Sequence, residues 1–175
     1  IPGIRGRHIS VPIEELVREA EFLASIGVKE LILIAQDTTY YGLDIYRKRA
    51  LAQLIERLEA IKGIEWIRIH YSYPASFPDD VLEIMAHSPK VCKYMDIPLQ
   101  HSADKVLAAM RRNIDGKQTR VLVERMREKV PGIVLRPTMI VGHPGEGKRE
   151  FQDLLNFVQE YKFERLGAFT YSEEE

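Results

Sequence analysis

Leu31-Ile32-Leu33-Ile34-Ala35-Gln36-Asp37-Thr38-Thr39-Tyr40-Tyr41-Gly42-Leu43-Asp44 is an apolar run that breaks abruptly into hydrogen-bonding groups. A strand covered by helices on both faces reads as a continuous apolar run, whereas a strand with one wetted face alternates apolar and polar residues. Leu31 to Ala35 does not alternate, so it is expected to be a buried strand of a parallel sheet. Donors, acceptors and a carboxylate then follow directly at its C-terminal end, where ligands sit in α/β folds.

The same pattern recurs on both sides of this stretch. Pro12 suits a first helical turn, Ile13, Leu16, Val17, Ala20, Leu23 and Ala24 recur at helical spacing, and Gly27 is placed to end that helix. Leu51, Leu54, Ile55, Leu58 and Ile61 form a second stripe that leads into a strand from Ile64 to His70, with Tyr71-Ser72-Tyr73-Pro74 behind it. A helix opened by Pro78-Asp79-Asp80 precedes strand Val91 to Ile97, which ends in Pro98-Leu99-Gln100-His101-Ser102. Helical pattern runs from Asp104 to Met110, breaks at Asp115-Gly116, and continues from Gln118 to Val130. Strand Ile133 to Val141 runs into Gly142-His143-Pro144-Gly145-Glu146; a last helix holds Phe151, Leu154, Leu155, Val158 and Tyr161, and strand Leu166 to Phe169 closes the series.

Strands and helices alternating without a hairpin signal predict an α/β fold with parallel strands. A doubly wound sheet gathers its site at one switch point, whereas a barrel draws on many strand ends. Polar clusters after every strand favour a partial (β/α) TIM-like barrel.

Composition narrows the function classes. At 175 residues and 45% hydrophobic, the chain is long enough to fold as one unit without a disulfide or metal staple. The formal charge of -1, with scattered Lys and Arg, gives no footprint for nucleic acid. No apolar run is long enough to span a bilayer and no signal peptide opens the chain, so the default setting is cytoplasmic. Cys92, the single cysteine, fits a reducing compartment and reads as packing. The start at Ile1-Pro2-Gly3-Ile4-Arg5-Gly6-Arg7, without methionine or a preceding strand, and the end at Glu173-Glu174-Glu175 lead us to expect a piece of a longer protein.

The polar clusters have structural as well as functional readings. Gly142 to Glu146 either cradles a nucleoside or phosphate ahead of a helix N-terminus or forms a tight turn; no Lys-Ser or Lys-Thr follows, so it is not a P-loop. Arg136 and Thr138 share one face of a strand, where Arg136 either holds a ligand carboxylate or pairs with Asp96 or Asp37. His70 and His101 stand at strand ends without metal-ligand spacing, so metal binding or proton relay competes with ordinary hydrogen bonding.

The segments Ile1 to Arg7, Ile34 to Gly42, His70 to Pro74, Asp96 to His101 and Ile140 to Glu146 together resemble the radical S-adenosylmethionine domain of the methylthiotransferases. Gln36 to Gly42 and His70 to Pro74 resemble the branch acting on an aspartate of small-subunit ribosomal protein twelve more than the transfer RNA branch. The resemblance implies a radical-SAM barrel whose first strand is missing here, along with the cluster loop, an N-terminal methylthiotransferase domain and a C-terminal substrate-binding domain. Residues 1-175 would then be a single fragment of the core domain.

The resemblance also implies cofactors and roles. The full-length enzyme would use S-adenosylmethionine, two 4Fe-4S clusters and an electron donor to place a methylthio group on the aspartate β-carbon. Gln36 and Asp37 would contact the methionyl amino group; Gln100, His101 and Ser102 would line the cofactor pocket; Arg136 and Thr138 would add polar contacts. Val141, Gly142, His143 and Glu146 would lie near adenine and ribose. Thr38, Tyr40, Tyr41, Tyr71 and Tyr73 would face the protein substrate.

Two departures stand out. His143 occupies a place where the family usually has Phe, and the three cluster cysteines are absent, their place falling upstream of Ile1. Cys92 cannot replace them, so the fragment is expected to carry no catalytic or metal-ligating residue, to load no cofactor and to be inactive. The competing readings are a barrel aldolase or hydrolase with Asp37 and His70 as acid-base groups, and a non-catalytic docking domain anchored by its tyrosines.

Overall fold

The structure, a computed structural model, describes residues 8–75 and 77–173. The connector from Ile1 to Arg7 and the terminal Glu174-Glu175 lie outside them.

In chain order the elements are α1 (Ile13–Ser25), β1 (Glu30–Leu33), α2 (Leu51–Glu59), β2 (Trp66–Ile69), α3 (Asp79–His87), β3 (Val91–Gln100), α4 (Asp104–Ala109), α5 (Gly116–Lys129), β4 (Val134–Val141), α6 (Lys148–Tyr161) and β5 (Gly167–Thr170). The five strands are all parallel and stand in the sheet in their chain order, β1-β2-β3-β4-β5. Right-handed crossovers that advance in one direction stack every helix on the same face of the sheet. This winding is that of a partial (β/α) barrel, not of a doubly wound sheet.

Packing follows the strand period. Leu31, Ile67, Ile69, Met95, Ile97, Leu99, Leu135 and Met139 turn toward the helices and are buried. They meet Leu54, Ile55 and Leu58 of α2, Val81, Leu82 and Met85 of α3, Val123 and Met126 of α5, and Leu154 and Phe157 of α6 in one core. The residues between them face the other way. Ile32 and Ile34 are 49% and 65% exposed, Trp66 is 50% exposed, and Arg68, Tyr94 and Arg136 share that side.

The apolar run of β1 is therefore covered on one face only. Its second apolar face belongs to the inside of the barrel wall, which carries no helices, and this explains why the run does not alternate. Cys92 also lies on this open face beside Arg68, half-buried and outside the core, and burial pushes its thiol pKa up.

Local sequence sets the junctions. Asp115 caps α5 reciprocally: its side chain accepts from the Gln118 amide at 2.7 Å while the Gln118 side chain accepts from the Asp115 amide at 3.0 Å. The next residue must be glycine for a different reason. A Cβ on Gly116 would stand 2.1 Å from the Ser102 carbonyl oxygen, so the α5 N-terminus presses directly on the loop after β3. Gly116→Ala is expected to cost about 1–3 kcal/mol of stability by forcing these two backbones apart, read as a lowered urea midpoint.

Candidate functional site

The C-terminal ends of the strands lie along one rim of the sheet, because all strands run the same way. Each is followed by a loop that the sequence supplies with polar residues, and these loops are tied to one another.

Asp37 caps a single 3₁₀ turn, Thr38–Tyr40. Its Oδ1 accepts from the Thr39 amide at 2.9 Å, the Thr39 hydroxyl at 2.7 Å and the Tyr73 amide at 3.3 Å. The last of these reaches the loop after β2. Thr38 and Ser72, both buried, hydrogen-bond at 3.1 Å, and the Thr38 amide donates to the Tyr71 carbonyl at 3.1 Å. The first two strand-end loops thus form one unit. Gln36 stands exposed at its margin.

Thr38 and Tyr41 do not face outward. Tyr41 is buried; its hydroxyl donates to the Val11 carbonyl at 2.7 Å, and burial, reinforced by Tyr46, Glu14 and Asp44, pushes its pKa up to about 12. Tyr73 is half-buried beneath Arg112, whose guanidinium lies 4.7 Å from the ring centre, and its hydroxyl accepts from the Asn113 amide at 3.3 Å. Of the four tyrosines singled out, Tyr40 and Tyr71 are left exposed, at 47% and 55%.

The end of β3 is the most buried part of the rim. Gln100 takes a left-handed backbone (φ 73), with the strand pairing shifting register just before it, and its Oε1 is buried without a partner. His101 is completely buried, and its Nδ1 accepts from the Ala103 amide at 2.9 Å. A neutral imidazole that accepts at Nδ1 carries its proton on Nε2. That Nε2 has no hydrogen-bond partner, and the Glu146 Oε2 lies 3.9 Å away. Ser102 turns toward the helices, where its hydroxyl donates to Asp153 of α6 at 2.5 Å, and Asp153 also pairs with Arg120 at 3.1 Å.

On β4, Arg136 resolves one open alternative. It stands opposite Asp96 in the β3-β4 register and pairs with that carboxylate rather than with Asp37. The pairing holds the Arg136 pKa above its ordinary value. Thr138 faces Gly167 across the β4-β5 pairing. Beyond Val141, Gly142 and Gly145 take left-handed backbones (φ 77 and 95) with nothing within 4 Å of where a Cβ would stand. Glu146 Oε2 accepts from the Gly142 amide at 2.6 Å, and the His143 ring lies 5.0 Å from Tyr171.

The ends of β2 and β3 carry three buried side-chain atoms without partners: His70 Nε2 and Gln100 Oε1, open to a ligand, and His101 Nε2, turned toward Glu146. An unsatisfied buried polar atom costs roughly 1–3 kcal/mol, and such atoms collect where a ligand supplies the missing bonds. A polar, amphoteric small molecule fits this donor set. No group of three or more His, Cys, Asp or Glu suited to a metal ion occurs among the described residues. The orphaned rim atoms are thus of the kind a polar ligand satisfies, and the described residues hold no ligand set for an iron-sulfur cluster.

One contributor escaped the sequence reading: Arg112, which lies over Tyr73 and whose Nη2 donates to the Pro98 carbonyl at 2.5 Å. Tyr171, at the polar end of the fifth strand, donates its amide to the Val141 carbonyl at 2.7 Å.

Comparison with known proteins bears on the fold and the site together. The family profile described as the Radical SAM superfamily matches residues 1–158. Among curated proteins, "Ribosomal protein uS12 methylthiotransferase RimO" of Flavobacterium johnsoniae is 58% identical over 100% of this chain and 40% of its own length. The protein of the same name from Cytophaga hutchinsonii is 55% identical over 100% of this chain and 40% of its own. The chain thus spans two fifths of these relatives' length. Among solved structures, the radical S-adenosylmethionine methyltransferase TsrM from Kitasatospora setae matches with a TM-score of 0.69 at 18% identity, over 91% of this chain and 31% of its own. Coproporphyrinogen III oxidase, HemN, from Escherichia coli matches with a TM-score of 0.62 at 20% identity, over 93% of this chain and 38% of its own. At such identities these two likenesses speak for the fold alone.

Burial holds the His101 pKa below its ordinary 6.5, against the pull of Glu146, Asp153 and Glu150 and with a small push from His143. A histidine depressed in the fold stabilises it fully above the unfolded pKa and loses that contribution as pH falls through the folded one. The urea midpoint is expected to decline below about pH 6.5, and His101→Asn, which cannot titrate, to flatten that decline.

Proposed function

From the premise that the chain belongs to the Radical SAM superfamily, we propose that it forms the S-adenosylmethionine-binding part of a methylthiotransferase acting on an aspartate of ribosomal protein uS12. The observation that carries this reading is the rim of unpartnered buried groups at adjacent strand ends, in a chain more than half identical along its length to proteins of that name. When bound beside a reduced 4Fe-4S cluster, S-adenosylmethionine supplies radical chemistry able to activate an unreactive carbon.

The residues of this chain do the holding. Among the described residues the hydrogen bonds to Asp37 fall on Oδ1, so Oδ2, with Gln36, offers an acceptor to an amino group. Arg136, with its side chain 45% exposed despite the Asp96 pairing, keeps donors for a carboxylate. The Gly142 to Glu146 turn presents open backbone to a nucleoside, and Gln100 and His101 complete the wall between these ends. Tyr40 and Tyr71 stand at the outer margin as anchors for a protein substrate.

The cluster ligands, a second cluster and the docking of an electron donor are assigned to parts of the full-length protein outside this stretch, which has Cys92 as its one cysteine. Alone, the stretch is proposed to be inactive. No helix among the described residues is long and apolar enough to cross a membrane.

Asp37→Asn separates the carboxylate's two tasks. The amide retains an oxygen for the Thr39 and Tyr73 amides but loses the charge. In the full-length reconstituted protein this variant is expected to bind S-adenosylmethionine about tenfold more weakly while melting within a few degrees of the parent. Mass spectrometry of uS12 after reaction should show one methylthio group on an aspartate. Unmodified uS12 together with modified transfer RNA would reassign the substrate.

A further inference from the structure

The Gly142 to Glu146 turn has few anchors in its own sequence. Two of its residues are glycines in left-handed backbone whose surroundings are empty, and its internal bonds, Gly142 amide to Glu146 Oε2 and Glu146 amide to the His143 carbonyl at 2.9 Å, fasten the turn only to itself. Side chains reach it from both neighbouring strand ends. Tyr171 after β5 packs edge-on to His143, and His101 after β3 aims Nε2 at Glu146.

The two contacts differ in kind. The aromatic one tolerates sliding, whereas the second sets a fully buried donor against a carboxylate whose side chain is 5% exposed. The Nε2–H is committed to that direction because the Ala103 amide occupies Nδ1. At 3.9 Å the pair is too long for a hydrogen bond, and an approach of roughly 1 Å would complete one.

We propose that His101 is a positioning residue: its Nε2–H and the Glu146 carboxylate latch the turn after β4 to the end of β3, and the latch shortens into a hydrogen bond when a ligand seats on the turn. The inference deepens the preceding reading, since this is the turn assigned there to the nucleoside. His101 then acts through Glu146 rather than by touching the ligand. Its orphaned donor is the stored tendency to close, since closure relieves the cost of a buried unpaired N–H. A wall residue that itself hydrogen-bonded the ligand would need no carboxylate behind it.

His101→Asn tests the latch cleanly, because its side-chain oxygen still accepts from the Ala103 amide while nothing replaces Nε2–H. In ligand-free protein, amide hydrogen exchange at Gly142 is expected to rise about tenfold in His101→Asn and in Glu146→Gln, and no further in the double variant. Thr119, buried within α5, should keep its wild-type exchange and so reports on the fold. Unchanged exchange at Gly142, or a double variant equal to the product of the two singles, overturns the latch.

In the full-length reconstituted protein, S-adenosylmethionine should raise Gly142 protection in the wild type and not in His101→Asn, whose KM should increase about tenfold with kcat little changed. Equal ligand-induced protection in both proteins also rejects it. A wild type that fails to bind S-adenosylmethionine would refute the functional reading instead, and the ligand-free exchange would still decide the latch.

Discussion

Everything at the rim depends on the handedness of the crossovers. Five parallel strands laid down in chain order by right-handed connections put every helix on one side and every C-terminal strand end along one edge. The helix side becomes the core and the other side is left to face the interior of the barrel wall. Because the strand period is two, each strand divides its residues between these worlds. Met95, Ile97 and Leu99 enter the core of β3, while Cys92, Tyr94 and Asp96 alternate onto the open face.

That division explains why the strand-end loops are tied together so heavily. The rim has no helix on its inner side, so order there comes from hydrogen bonds between loops. Asp37 to Tyr73 and Thr38 to Ser72 join the first two, Ser102 to Asp153 anchors the third to α6, and Tyr171 to Val141 joins the last two. Arg112 holds the β3 end through the Pro98 carbonyl, close to where the strand pairing shifts register. The backbone strain of a left-handed non-glycine residue recurs at two of these ends, Tyr71 and Gln100. Such residues persist only where surrounding contacts over-determine them, which is the condition of a preorganised site.

Element order and strand direction were legible because they rest on periodicity and on glycine and proline punctuation, both written in single residues. Orientation was less so. The run from Leu31 to Ala35 looked doubly covered, although Ile32 and Ile34 face the open side; a barrel interior and a helix-covered face select the same apolar side chains. Thr38 and Tyr41 looked like rim residues and are buried, because the 3₁₀ turn that swings them inward is set by the Asp37 cap, whose partner Tyr73 lies 36 positions away. Gln100 carried no warning of a positive φ, since glycine alone advertises that conformation from sequence. Arg112 was hidden for the opposite reason: a long basic side chain reads as solvated surface until a carbonyl and an aromatic face are brought to it.

The charges on the open face show how such a wall tolerates polarity. Arg136 and Asp96 are directly opposed in the β3-β4 register, and Arg68 pairs with Glu30 at 2.7 Å and lies 5.2 Å from the Tyr94 ring centre. Neither pair is fully buried, and a partly exposed pair contributes little to stability. Their significance lies in direction. A guanidinium paired with an in-register carboxylate is restrained on the open face of the sheet, while the Arg136 side chain stays 45% exposed. Enclosure of that wall would strengthen the field of such a group on a bound anion, because the local dielectric falls while the geometry is already set. The same reasoning separates His101 from Arg136: one is a neutral donor sealed inside the rim and fit to position a neighbour, the other a permanent charge left half-open and fit to meet a ligand.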